Sequence, residues 1–195
     1  LAEHGFLRVS FARALRDELA SLLCSGEAFG GLAPVKNRQE AAALLSVKPT
    51  PPEVRRALQA YGYCRRAANP NYWVDKWDAV VRGVSNSVVT DDVRFDNEAK
   101  HILGLGGIVL SLVRDRNACL RSAGATDDML EHQSERGVSP EFVSAYVDAD
   151  GPLSDLLARV DYCLRHYDEL RQCRGVRVVG TPARIIPAPT EVRAA

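Results

Sequence analysis

Between Val88 and Val113 the chain changes character three times within about 30 residues, and that segment limits the fold more than any other. "SVVT" is a short apolar run. "DDVRFDNEA" follows with acids, one arginine and the start of a helical pattern, which "GLGG" stops. "IVLSLV" is apolar again. Apolar strand, helix and apolar strand at this spacing is a βαβ unit. It calls for parallel strands, because a connection this long cannot be a hairpin, and for a right-handed crossover. The expected class is therefore α/β, with a layered parallel sheet covered by helices.

The rest of the chain supplies further elements of the same kind. "FLRVS", Phe6 to Ser10, reads as a short strand. Phe11, Leu15, Leu19, Leu22 and Leu23 then recur at three- and four-residue steps, as one face of a helix does. "CSGEAFGGLAP" is a glycine-rich loop with no G-K-[ST] to make it a phosphate loop. Short helices are expected over Arg38–Val47, Glu53–Tyr61 and Tyr72–Val84; Pro52 suits a first helical turn. Trp73 and Trp77 lie one turn apart in the last of these, a spacing typical of core residues. Asp96 is positioned to cap a helix running to about Leu103. "FVSAYVD" reads as a short strand. Leu153, Leu156, Leu157, Val160, Leu164 and Tyr167 form one stripe of a strongly amphipathic helix. Residues 173–195, ending in the proline-rich "TPARIIPAPTEVRAA", read as a tail, poorly ordered from Thr181 onward.

Composition narrows the function classes. The formal net charge is +0, so no overall field draws in nucleic acid or an anionic membrane. No stretch approaches the ~18 continuous apolar residues of a membrane span. Five widely spaced cysteines with no C-x-x-C argue against a disulfide framework or zinc knuckle. They suit a reducing, cytoplasmic setting, with Cys163 and most others as small core residues. Only four of the 25 basic residues are lysine. Base composition of the genome accounts for such a bias; so would a need for planar guanidinium groups that grip phosphate.

In an open parallel sheet, ligands collect beyond the carboxyl ends of the strands. Asp92 and Arg94 lie at one such end and Arg114 at the next. A carboxylate beside two guanidinium groups suits an anionic substrate held with a metal ion. Asp92 would take Mg²⁺, directly or through water, and the arginines would neutralise phosphate oxygens. The competing reading is a solvated ion pair between Arg94 and Asp92 or Glu98.

"VVTDDVRFDNEAKHILGLGGIVLSLVR" resembles the core of the deoxynucleoside monophosphate kinases of phages and bacteria. Their pattern is a strand, D-x-R-[FQ]-x-x-E-A, a helix, a glycine pair and a strand ending in V-x-R. It falls here on Asp92, Arg94, Phe95, Glu98, Ala99, Gly106, Gly107, Val113 and Arg114. "RRALQAYGYCRRAANPNYWV" resembles the family's R-x-x-L-Q-x-x-G segment with its later arginine and W-V, at Arg55, Leu58, Gln59, Gly62, Arg66, Trp73 and Val74. "HQSERGV" resembles its H-x-[ST]-E-x-G turn, at His132, Ser134 and Glu135. "VSFARALRDEL" and "VDADGPLSDLLARV" resemble its second strand with the following helix and its closing strand–turn–helix.

The resemblance implies a P-loop nucleoside monophosphate kinase fold over residues 1–172. Residues of about 25–84 would form a helical acceptor-binding part, and about 114–139 a lid. It implies transfer of the ATP γ-phosphate to a (deoxy)nucleoside monophosphate with Mg²⁺. Asp92, Arg94 and Arg114 would be catalytic. Arg16, Gln59, Arg66, Trp73 and Glu98 would hold the acceptor, with Arg121, His132 and Glu135 in the lid. The partners implied are small nucleotides, with a homodimer left open.

Three departures stand out. Tyr63 and Cys64 replace the threonine and acid of the Q-x-x-G segment, and Ala149 replaces an asparagine. The family's opening strand and G-x-x-x-x-G-K phosphate loop have no counterpart, and "LAEHGF" reads as the end of the helix that would follow them. The expectation is a fragment that is inactive alone. Loss of that strand would leave a gap between the strands ending at Thr90 and Val113, or force them together. The alternatives are a non-catalytic kinase-like binding domain and a kinase of the same fold with another acceptor.

Overall fold

A computed structural model describes residues 5–114 and 137–187. The chain divides into two compact units, Leu1–Asp92 and Val93–Ala195. The boundary falls inside the charged cluster that follows the strand Val88–Val89.

The first unit pairs two short parallel strands, β1 (Leu7–Arg8) and β2 (Val88–Val89), with Leu7 opposite Val88. Between them run four helices: α1 (Phe11–Cys24), α2 (Arg38–Ser46), α3 (Pro52–Ala68) and α4 (Tyr72–Val81). α1 is the hub and packs against the other three. It buries Phe11, Leu19, Ala20 and Leu23, which follow the apolar spacing of the sequence. Leu19, Ala20 and Leu23 form one core with Leu45 of α2, Val54 and Ala57 of α3 and Trp73 of α4. The indole Nε1 of Trp73 donates to Gly62 O at 3.2 Å, so its polar atom is satisfied inside the core. Trp77 stacks on Phe11 at 4.9 Å and donates to Thr90 Oγ1 at 3.1 Å, tying α4 to the end of β2. Both tryptophans are core residues, as their spacing indicated.

Local chemistry sets the helix ends. Asn37 Oδ1 accepts from Glu40 N at 2.9 Å, and Glu40 Oε2 accepts in return from Lys36 N at 3.0 Å, starting α2. α3 begins with Pro52 and continues to Ala68, well past Tyr61. Its last turn carries Arg65 and Arg66, which suit the negative end of the helix, and it stops before Asn69-Pro70. "CRRAA" is therefore helical rather than a connection.

The second unit contains α5 (Asp96–Gly104), β3 (Leu110–Val113), β4 (Ala145–Asp148), α6 (Leu153–Arg165), α7 (Tyr167–Gln172), β5 (Val176–Val179) and β6 (Arg184–Ile186). Its sheet has the order β3-β4-β5-β6, parallel throughout except for the antiparallel β5–β6 pair. α6 packs on β4 and β5. Ala145, Val147, Cys163, Leu170 and Val178 form the core. Burial pushes the Cys163 thiol up to about 11, as expected of an inert core residue.

Four expectations are corrected. β2 and β3 belong to separate ladders, so the segment 88–113 does not form a hydrogen-bonded βαβ pair. The described sheets have two and four strands, and no single layered sheet is formed by hydrogen bonding. Residues 176–186 supply two strands where a tail was expected; Val178 is buried in the core, and the antiparallel turn lets β6 cover β5. Leu153 and Leu157 of α6 are exposed, while Arg159 and Cys163 are buried. The Arg159 guanidinium explains that rotation. It donates to Asp148 O at 2.9 Å, Gly180 O at 3.2 Å and Asp150 O at 3.3 Å, satisfying carbonyls at the ends of two strands.

Candidate functional site

One side of α1 carries Arg13, Arg16 and Asp17, spaced i, i+3 and i+4, with the buried Ala20 at its edge. Arg8 and Ser10 reach the same face from the end of β1, and Arg38 and Ser46 reach it from the two ends of α2. Together these residues line a cavity of about 300 Å³. Four guanidinium groups and one carboxylate share it.

Those arginines differ in how far they are already engaged. Arg8 donates through Nε to Asp91 at 2.9 Å; this hydrogen bond and the Asp91 charge raise its pKa further. Arg13 stands 3.9 Å from Asp17 on the exposed helix surface, a weak pair. The Nε of Arg16 is buried and has no hydrogen-bond partner. Arg38 has neither an ion pair nor a hydrogen bond among the described residues. Among the described residues, Arg38 and the buried Nε of Arg16 lack partners, and both side chains line one cavity, which makes it a site for an anion. Phosphate fits best, because its oxygens accept paired N–H bonds in a fork.

Asp92 is engaged in an unexpected way. Its Oδ1 accepts from Phe11 N at 3.0 Å and its Oδ2 from Ala12 N at 2.9 Å. Ser10, the residue at the N-cap position, makes no cap of its own and donates its hydroxyl to Asp92 instead. Asp92 therefore caps α1 from the far end of the unit and places a negative charge at the helix N-terminus. The site fits Mg²⁺ poorly. Three of the carboxylate's roughly four lone-pair positions are used. Among the described residues no group of three His, Cys, Asp or Glu could hold a metal. Asp91, adjacent in sequence, is exposed beside Arg8.

The remaining candidates are distributed as follows. Trp73 is 1% exposed in the core of the first unit and presents no face to a ligand. Gln59 and Arg66 are half-buried on α3, with Arg66 close against Gly62. In the second unit Arg94 is exposed, and Glu98, at 2% exposure, is spent on its own helix. Its Oε2 accepts from Arg94 N at 2.9 Å and Phe95 N at 3.2 Å, capping α5. Asp96 does not serve as that cap; its two oxygens accept from Ser139 N and Oγ, both at 2.7 Å. Arg114, beyond β3, donates to Ala149 O at 3.2 Å. Arg121, His132 and Glu135 lie outside the described residues. Of the candidates, only Arg16 lies in the arginine cavity. Arg8, Arg13 and Arg38 were missed. The i, i+3 pair Arg13–Arg16 was legible as one polar face, but nothing in the sequence shows that α2 brings Arg38 to it.

No family model matches this chain, and no match was found among curated proteins or solved structures.

Proposed function

We propose that the chain carries the acceptor-binding side of a nucleotide phosphoryl-transfer enzyme, in which a (deoxy)nucleoside monophosphate receives the γ-phosphate of ATP. The arginine cavity carries the reading. Arg16 and Arg38 would fork the acceptor's phosphate, with Arg8 and Arg13 adding positive charge at the rim. Binding there neutralises the oxygen that attacks and lowers its repulsion from the donor's phosphates. That oxygen belongs to a phosphate whose second pKa is about 6, so it is already ionised at neutral pH and needs no general base. On the resemblance alone, Arg94 would grip the acceptor and Arg114 would approach the transferring group. ATP and Mg²⁺ enter the proposal on the same footing, and no step is drawn through the metal.

A second reading, a non-catalytic nucleotide-binding domain, is favoured by the structural use of Asp92. Both readings require the cavity to bind a phosphomonoester. Calorimetric titration of the chain with inorganic phosphate and deoxynucleoside monophosphates tests this. Binding should weaken at least about tenfold in Arg16→Ala and in Arg38→Ala, the scale of one charge-assisted fork. Unchanged affinity in the double variant would remove the assignment. Phosphoryl transfer from ATP by the same chain would rule out the second reading.

A further inference from the structure

The arginine cavity has a neighbour. A second cavity, of about 430 Å³, shares Asp17 and Arg38 with the first. It continues along α1 past Glu18 and Ser21 to a wall built from Tyr61 and Arg65 of α3 and Tyr72 of α4. About 8 Å of helix separates Arg16 from Ser21, room for one pentose between the two ends.

Glu18 organises that wall. Tyr72 Oη donates to Glu18 Oε1 at 2.7 Å, and Lys76 Nζ lies 3.2 Å from the same oxygen. Tyr61 Oη and Arg65 Nε each lie 3.4 Å from Oε2. The carboxylate is thus fully engaged and is a positioning group rather than a ligand. Its hydrogen bond also raises the pKa of the Tyr72 phenol, which keeps Tyr72 a neutral donor. Arg65 donates to Tyr61 Oη at 2.9 Å and lies 5.3 Å from the ring centroids of both Tyr61 and Tyr72. Its guanidinium is held against two aromatic rings by a hydrogen bond and an ion pair, yet its side chain is 45% exposed. A planar, pre-positioned group of this kind stacks well on a planar heteroaromatic and gains little from a sugar or an acyl chain.

We propose that the second cavity receives the nucleoside end of the phosphorylated acceptor, with Arg65 as the plate on which its base stacks and Glu18 as the residue that holds the plate. The proposal rests on the reading that the arginine cavity holds the acceptor's phosphate. It makes the ligand a nucleoside 5′-phosphate rather than a simple sugar phosphate.

The test is calorimetry on the full chain with inorganic phosphate, deoxyribose 5-phosphate and the four deoxynucleoside monophosphates. Wild type should bind at least one monophosphate roughly tenfold more tightly than deoxyribose 5-phosphate, the scale of one stacked base. Arg65→Ala should erase that difference while leaving deoxyribose 5-phosphate and inorganic phosphate unchanged. Arg65→Lys, which keeps the charge but not the plane, should behave like Arg65→Ala. Glu18→Gln should reduce the difference part-way. Equal affinity of wild type for monophosphates and deoxyribose 5-phosphate, or a full preference retained in both Arg65 variants, overturns the base subsite and leaves the phosphate reading standing. Failure of wild type to bind any of the probes overturns both. Far-UV circular dichroism of each variant shows whether a loss reflects unfolding, and Arg65→Lys decides the matter if Arg65→Ala does not fold.

Discussion

Asp92 shows how much one side chain's meaning depends on where the chain takes it. As a sequence feature it is a carboxylate at a strand end, suited to a metal or a phosphate site. In the folded unit it spends three of its acceptor positions on Ser10, Phe11 and Ala12. Nothing in the local sequence announces this, because its partners lie about 80 residues away. Asp92→Ala should lower stability by about 1–2 kcal/mol, as loss of a helix cap does, and Asp92→Asn by less, since asparagine also caps well. Chemical denaturation of the two variants against wild type measures this. Gly30 makes a second residue-level case. Its φ is +60°, and a Cβ there would stand 2.7 Å from Ala57 Cα. Gly30→Ala should therefore cost about 2–3 kcal/mol, combining backbone strain with overpacking. Gly26→Ala, at φ +93° but in open space, should cost only about 1 kcal/mol. Thermal unfolding of the pair separates the two terms.

At the scale of elements, periodicity identified α1 correctly because one face alone is apolar and three helices wait to cover it. On α6 it misled in part. Of the expected stripe Leu156 packs on the sheet core, but Leu153 and Leu157 are exposed, and the buried face runs through Arg159 and Cys163. A charged residue in the middle hid that face from any reading by hydropathy. The three carbonyls that accept from Arg159, with the Asp155 carboxylate 3.9 Å from it, make its burial favourable. The elements thus predict opposite outcomes for two substitutions only two residues apart. Leu157→Lys should change stability by less than about 0.5 kcal/mol, as at an ordinary surface position. Arg159→Met should lose about 1–3 kcal/mol through stranded carbonyls, despite being more apolar. Urea denaturation distinguishes them. Residues 176–186 were misread for a related reason. "VRVV" and "RII" are too short and too interrupted by charge to signal strands until β4 offers an edge to β5, and β5 to β6.

For the molecule as a whole, a net charge of +0 conceals strong local segregation. The balance argued correctly against a uniformly basic surface, but it says nothing of a 300 Å³ cavity with four arginines and one acid. Such a site should bind the dianion of a phosphomonoester better than the monoanion. Arginine stays charged throughout, so the pH dependence belongs to the ligand. Affinity should rise between about pH 5 and pH 7 as the second phosphate proton leaves, and should level off above. Titrations across that range test it, and a flat profile counts against a phosphate contact. Half of the candidate site was legible, as the polar face of one helix; the other half depended on which helix α1 meets. The remote cap on α1 has a last consequence, for a chain emerging from the ribosome. The first turn of α1 is synthesised early, yet the group that completes it is among the last of its unit to be made. Until β2 has emerged and paired with β1, that turn lacks its remote cap, so final closure of the arginine cavity should be a late event in folding, waiting on the far end of its own unit.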